Sequence, residues 1–229
     1  EYRKKRILTY DQLNVMYAIE HCRTSVYGFH ADICNECEHI EIGYNSCGNR
    51  HCPKCQGIKK RKWVKNRLDD LLPISYFHVV FTLRKEISRL SLYNKELIYD
   101  LIFDASSKTL LQFGADPKWL GATTGFYGIL HTWSQVMDTH VHVHYIVPAG
   151  GLNAQDEWIE PEKYKDEFLY PVKALSKVFR GKFIEGFKKA YYDGKIYLPK
   201  ENKHLENPAE FEKWIDKLVS KNWNVFSKP

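Results

Sequence analysis

The run His140-Val141-His142-Val143-His144-Tyr145-Ile146-Val147-Pro148-Ala149-Gly150-Gly151 decides the fold of the larger part of this chain. Histidine alternates with valine, and period two is the signature of a strand. The three imidazoles therefore share one face and the valines the other. Three neighbouring histidines are costly to bury without partners, and neutral imidazole is the commonest metal ligand. The run reads as a divalent-metal site on the central strand of a sheet. The plainer alternative is a half-exposed strand that is merely rich in histidine, but the apolar flanks argue that the strand is mostly buried.

Outward from that strand, residues 125–133 read as a neighbouring strand, joined to 141–147 through 134–139. Residues 75–83 (SYFHVVFTL) read as another. Residues 93–113 carry apolar side chains at helical spacing, 174–192 and 208–221 read as further helices, and 168–172 is a candidate strand. This order predicts an α+β domain with a central antiparallel sheet flanked by helices. Nearer the start, residues 9–22 read as a helix opened by a Thr9–Gln12 capping box. Residues 56–72 read as a basic helix that Pro73 ends. The expected boundary divides the chain into domains 1–72 and 73–229.

The 229 residues, 44% of them hydrophobic, are those of a folded, core-forming protein. No stretch approaches the length of apolar sequence that spans a bilayer. The opening Arg3-Lys4-Lys5-Arg6 precedes a polar helix rather than the apolar core of a signal peptide. The expectation is a cytoplasmic chain with no membrane partner. It starts on Glu1 and stops at Pro229, as a piece of a longer protein would.

All six cysteines fall between Cys22 and Cys55. A secreted disulfide scaffold would spread them, whereas clustering with C-x2-C spacing points to zinc. Cys34/Cys37 and Cys52/Cys55 have near zinc-ribbon spacing and are expected to form one closed tetrahedral Zn2+ site. Cys22, His30, Cys47 and His51 remain. They are candidates for a second, interleaved site, with buried free thiols as the alternative for the two cysteines. Such closed sites are structural: they fold a segment too short to build its own core.

The net charge of +6 is unevenly placed. Arg50, Lys54, Lys59, Lys60, Arg61, Lys62, Lys65 and Arg67 fall in a stretch without one acidic residue, and Trp63 lies among them. This is the footprint of a surface that meets phosphate backbones. A solvated lysine-rich face is the alternative, and the adjacent zinc knot favours DNA.

His142-Val143-His144 matches the His-apolar-His pattern of the HUH endonucleases, which cut single-stranded DNA. Residues 76–83 look like the first strand motif of the rolling-circle group. The knot Tyr44-Asn45-Ser46-Cys47-Gly48-Asn49-Arg50-His51-Cys52-Pro53-Lys54-Cys55-Gln56 and the stretch His131-Thr132-Trp133-Ser134-Gln135 resemble the rolling-circle transposases of bacterial insertion sequences. The resemblance runs over nearly the whole chain in the same order. That family joins an N-terminal zinc-binding domain to an HUH nuclease domain.

The resemblance implies a metal-dependent nickase and strand transferase. A tyrosine hydroxyl would attack a phosphodiester, leaving a 5′-phosphotyrosine and a free 3′-hydroxyl, so that rejoining needs no ATP. The cation would be Mg2+ or Mn2+. Its third ligand is expected from a neighbouring strand, with Gln135 the first choice and His131 and His78 the alternatives. His131 and His78 also fit as hydrogen-bonded core histidines. His140 is expected at the rim, touching DNA. The partner would be single-stranded DNA, as an element-end hairpin or a specific sequence. Trp119, Phe126, Tyr127 and Trp133 are candidate stacking platforms for bases, and each equally fits a core.

Nothing after Val147 matches the family's tyrosine motif. Tyr192, next to Tyr191 at the end of a predicted helix, is the nearest candidate, but an aromatic pair there also fits packing. The nucleophile is therefore expected beyond Pro229. The alternative function is a zinc-dependent DNA-binding module carrying an inactive nuclease-like domain.

Overall fold

The computed structural model describes residues 8–136, 138–161 and 169–229. The chain divides into two compact units, Glu1–Pro73 and Ile74–Pro229.

In the first unit, helix α1 (Tyr10–Glu20) starts at Thr9. Both halves of the expected capping box form: Thr9 Oγ1 accepts the Gln12 N–H at 3.3 Å, and Gln12 Oε1 accepts the Thr9 N–H at 2.9 Å. Strands β1 (Phe29–Ile33) and β2 (Ile40–Tyr44) pair antiparallel as a hairpin, an element the sequence pattern did not reveal. Helix α2 (Pro53–Asp69) begins three residues before the expected start. Proline is well placed there, because its fixed φ suits the first turn and its missing N–H would have had no intrahelical partner. No residue of α2 is buried within the unit. The basic run Arg3–Arg6 lies outside the described residues.

The second unit is built on a four-stranded antiparallel sheet. Its strands are β3 (Tyr76–Thr82), β4 (Tyr127–Trp133), β5 (Thr139–Pro148) and, named last because it closes the chain, β8 (Val225–Lys228). The order across the sheet is β4-β5-β3-β8, so the histidine strand β5 is internal, as expected. Helix α3 (Lys85–Leu90) and the long helix α4 (Lys95–Ala115) follow β3. A small ladder of β6 (Gly151–Leu152) and β7 (Trp158–Ile159) follows β5. Helices α5 (Val172–Tyr192) and α6 (Pro208–Val219) precede β8. The strand expected at 168–172 does not form over its described part. Residues 169–171 are irregular and Val172 opens α5, while Phe168 lies outside the described residues.

Alternation sets the layers. Phe77, Val79 and Phe81 of β3 and Val141, Val143, Tyr145 and Val147 of β5 point into one core with Ile98, Ile102 and Leu110 of α4 and Phe179 and Phe183 of α5. Full burial of each such ring or aliphatic side chain contributes roughly 1.5–3 kcal/mol. Beneath the histidines β5 is pinned twice: the Tyr145 hydroxyl lies 2.8 Å from Ser106 Oγ, and the Val141 N–H donates to Ser88 Oγ at 3.2 Å. Gly128 of β4 makes room for the Tyr145 ring, which would stand 2.6 Å from any Cβ there. The opposite face of the sheet carries the histidines.

Candidate metal centres

On β5, His140, His142 and His144 are partly exposed while Val141, Val143 and Tyr145 are buried, as the alternation requires. His131 of β4 stands directly opposite His142 in the antiparallel register, so their side chains share a face. Ring nitrogens of His131, His142 and His144 all lie within 4.8 Å of one another. The ring centroids are 4.5 Å apart for His131–His144, 4.8 Å for His142–His144 and 5.4 Å for His131–His142. A register shift between His131 and Trp133 marks a bulge beside this group, a device that re-aims side chains at strand ends.

Two of the rings are oriented by their other nitrogen. His142 Nδ1 lies 2.9 Å from the His140 carbonyl oxygen, which only an Nδ1–H can satisfy, so Nε2 is left with its lone pair. His144 Nδ1 lies 2.7 Å from His78 Nε2 on β3, and His144 Nε2 is buried without a hydrogen-bond partner. A buried polar atom without a partner is costly, and here it belongs to a group of imidazoles at ligand spacing. Burial first, and then the His131, His142 and His78 rings, push His144 down to about 4. Burial likewise lowers His142, with His140 and His131 adding to it against the opposing hydrogen bond to the His140 carbonyl. Both rings are thus held neutral, the form that ligates metal. The donor set fits a divalent cation.

Gln135, the first choice for third ligand on sequence grounds, sits in the turn after β4. It lines the same open groove of about 570 Å³ as Trp133, His140 and the three clustered histidines. The residue that the fold brings to the pair at ligand spacing is His131. Of the aromatic candidates, Trp119 and Phe126 pack against the core. Tyr127 and Trp133 are half exposed, and Trp133 stacks on His131 at 5.6 Å. Tyr192 is not among the residues lining the groove. Its hydroxyl donates to Glu212 Oε1 at 2.6 Å, which raises its pKa, and Tyr191 stacks on Phe211. Tyr191 packs against the core, while the Tyr192 ring is exposed.

The cysteines group differently from the spacing-based expectation. Cys22, Cys47, Cys52 and Cys55 place their sulfurs within 4.8 Å of one another. Cys55 Sγ lies 3.4 Å from Cys22 Sγ and 3.6 Å from Cys47 Sγ. Tetrahedral Zn–S bonds of about 2.3 Å imply sulfur separations of about 3.8 Å, so the four thiols fit one zinc. Burial raises the Cys47 thiol to about 12. At Cys55 burial also acts upward, but hydrogen bonds from Cys22, Cys47 and Cys52 outweigh it and bring the thiol to about 6.

Cys34 and Cys37 do not join Cys52 and Cys55. They lie in the turn at the tip of the β1–β2 hairpin, whose five paired residues separate that tip by about 17 Å from its base. Cys22 and Cys47 flank the base. The Cys34 thiol is lowered by backbone N–H groups of Glu36 and Cys37. Among the described residues no third Cys, His, Asp or Glu ligand atom gathers with these two sulfurs. Nor does the set Cys22, His30, Cys47 and His51 assemble. His30 lies over Gly43 with its Nδ1 3.2 Å from Asn45 Oδ1, and His51 Nε2 accepts from Arg50 Nε.

Lys59, Lys60, Arg61, Lys62 and Lys65 are exposed along α2. Lys54 donates to the Cys22 carbonyl, tying the start of α2 to the zinc knot, and Arg67 pairs with Asp70 at 2.8 Å.

Family models match two stretches of the chain, the transposase zinc-binding domain over residues 1–83 and a putative transposase over residues 125–229. The putative transposase y4qJ of Sinorhizobium fredii (strain NBRC 101917 / NGR234) is 41% identical over 219 residues, 95% of this chain and 54% of that protein. The transposase for insertion sequence element IS801 of Pseudomonas savastanoi pv. phaseolicola is 32% identical over 139 residues, 60% of this chain and 33% of that protein. A solved structure of TrwC complexed with a 27-mer DNA comprising the recognition hairpin and the cleavage site matches with a TM-score of 0.40 at 19% identity. That match covers 49% of this chain and 44% of TrwC. The chain spans about half the length of the first of these relatives. Both family models describe parts of transposases, and the four-thiol cluster falls inside the zinc-binding one. The chain belongs to the rolling-circle transposases of bacterial insertion sequences that carry an N-terminal zinc-binding domain.

Proposed function

We propose that this chain carries the DNA-holding and metal-holding parts of a transposase that nicks single-stranded DNA and transfers the cut strand through a 5′-phosphotyrosine. The observation that carries the reading is the cluster of three imidazoles on an open sheet face, with His144 Nε2 buried and unpartnered. His131, His142 and His144 would hold Mg2+ or Mn2+, which polarises a scissile phosphate and stabilises charge developing on its oxygens. Three protein nitrogens leave coordination positions for phosphate and water. Gln135 and His140 line the same groove, and the reading gives them contacts to the DNA. Half-exposed Trp133 and Tyr127 on that face offer surfaces on which unpaired bases stack. The N-terminal domain, residues 1–72, would hold one zinc through Cys22, Cys47, Cys52 and Cys55 and set the lysines of α2 against phosphates.

The attacking hydroxyl is assigned outside these 229 residues, because the Tyr192 hydroxyl donates its hydrogen bond to Glu212 and its pKa is raised, which disfavours the phenolate. An element-end hairpin or specific sequence is the proposed substrate. The test is a covalent-adduct assay: labelled single-stranded element ends, Mn2+, and either this chain or a version extended past Pro229, resolved on a denaturing gel. An adduct with the extended protein, lost in His142→Ala/His144→Ala at unchanged zinc content and melting temperature, is expected. An undiminished adduct in that double variant contradicts the site, and an adduct with this chain alone contradicts the placement of the nucleophile.

A further inference from the structure

His78 of β3 is exposed and lies outside the group of three, yet it makes the shortest contact that any of the three imidazoles makes. Its Nε2 is 2.7 Å from His144 Nδ1, and the two rings are nearly parallel, 7° apart with centroids at 5.0 Å. Between two imidazole nitrogens at that distance there is room for one proton. One nitrogen must donate and the other accept, so the tautomers of the two rings are coupled.

The direction follows from the other end of His144. Its Nε2 is the nitrogen left over, buried and without a partner, on a ring whose centroid lies 4.5 Å from that of His131 and 4.8 Å from that of His142. A nitrogen that ligates a cation presents a lone pair, so the His144 proton must sit on Nδ1 and be given to His78. His142 is fixed in the same tautomer, but by a main-chain acceptor, the His140 carbonyl. The backbone supplies that orienting group for one ligand, and a side chain from the neighbouring strand supplies it for the next.

We propose that His78 is a positioning residue for His144. It accepts the His144 Nδ1–H through its own Nε2, carries its own proton on Nδ1, and so holds His144 Nε2 aimed at the cation. This rests on the reading of His131, His142 and His144 as a metal site. The acceptor is an imidazole rather than a carboxylate, and among the described residues no acidic side chain lines the groove.

The test uses this chain with its zinc in place, titrated with Mn2+ while the free ion is followed by electron paramagnetic resonance. His78→Phe removes the acceptor from an exposed position and should weaken Mn2+ binding roughly 10–100-fold, the usual effect of losing an outer-shell partner. His78→Gln places an amide oxygen near the position of Nε2 and should bind close to wild type. Nitrogen-15 spectra of the histidine rings, with Mg2+ as the ion, should show His144 protonated on Nδ1 in wild type and His78→Gln, and a mixture of tautomers in His78→Phe. Equal Mn2+ affinity in His78→Phe and wild type overturns the proposal. So does equal loss in the Phe and Gln variants, which would make the ring itself the ligand, or a wild-type His144 protonated on Nε2. The metal-site reading fails separately, if His142→Ala/His144→Ala binds Mn2+ as wild type does.

Discussion

At His144, burial and three neighbouring imidazoles act in the same direction and hold the ring neutral down to about 4, against an ordinary value of 6.5. The unfolded chain takes up that proton near 6.5, while the folded, cation-free site refuses it until about 4. The folded state is therefore expected to lose stability as pH falls from 6.5 towards 4, and to be unaffected by this group above 6.5. Ring proton shifts of His144 against pH, recorded without divalent cation, check this; a midpoint near 6.5 contradicts it. The face shared by His142 and His144 is legible in the alternation with valine. His131 was also within reach of the sequence, because counting back from a 134–139 turn sets residue 131 opposite 142. Gln135 shares the groove with these rings but sits in the turn after the strand. The pairing of His78 with His144 was not legible, since it depends on β3 lying beside β5, a choice of neighbour that local sequence does not encode.

At the scale of elements, the basic helix and the zinc knot are one device. Pro53 starts α2 within the Cys52/Cys55 pair, and Lys54 ties that start to the Cys22 carbonyl, so the zinc fixes where the helix begins. Cys55→Ser should remove one zinc per chain and unfold the knot, because a closed site of this kind is the core of its segment. Cys34→Ser/Cys37→Ser should leave that zinc bound; metal analysis of both variants decides, and the opposite result restores the ribbon pairing. Replacing Lys59, Lys60 and Lys62 by Ala should weaken single-stranded DNA binding evenly across sequences. It should also flatten the salt dependence by about one unit of slope for each phosphate that is no longer neutralised. Anisotropy titrations over a salt series read this, and an unchanged slope makes α2 a solvated face. The strong periodicities, 3.6 in the long helices and 2 in β3 and β5, carried these elements through to the structure. The β1–β2 hairpin escaped because every residue of its two strands remains exposed or half exposed, which leaves no buried alternation to read. That same hairpin carried Cys34 and Cys37 away from the partners that their spacing suggested.

For the whole molecule, the sheet of the second unit divides two tasks. Its inner face binds α4 and α5 through a continuous aromatic and aliphatic core, which fixes β3 and β5 in place. Its outer face is left to histidines and to half-exposed Tyr127, Ile129, Trp133 and Ile146. Rigid strands hold ligands more exactly than loops do. Among the described residues no helix is long and apolar enough to cross a membrane. On the function proposed above, three imidazoles on this face hold a divalent cation. Crystals of the zinc-loaded chain soaked in Mn2+, with anomalous diffraction recorded at the manganese edge, test it directly. One manganese peak is expected, within bonding distance of a nitrogen of each of His131, His142 and His144. No peak there at saturating Mn2+, or one held by other residues, would contradict it.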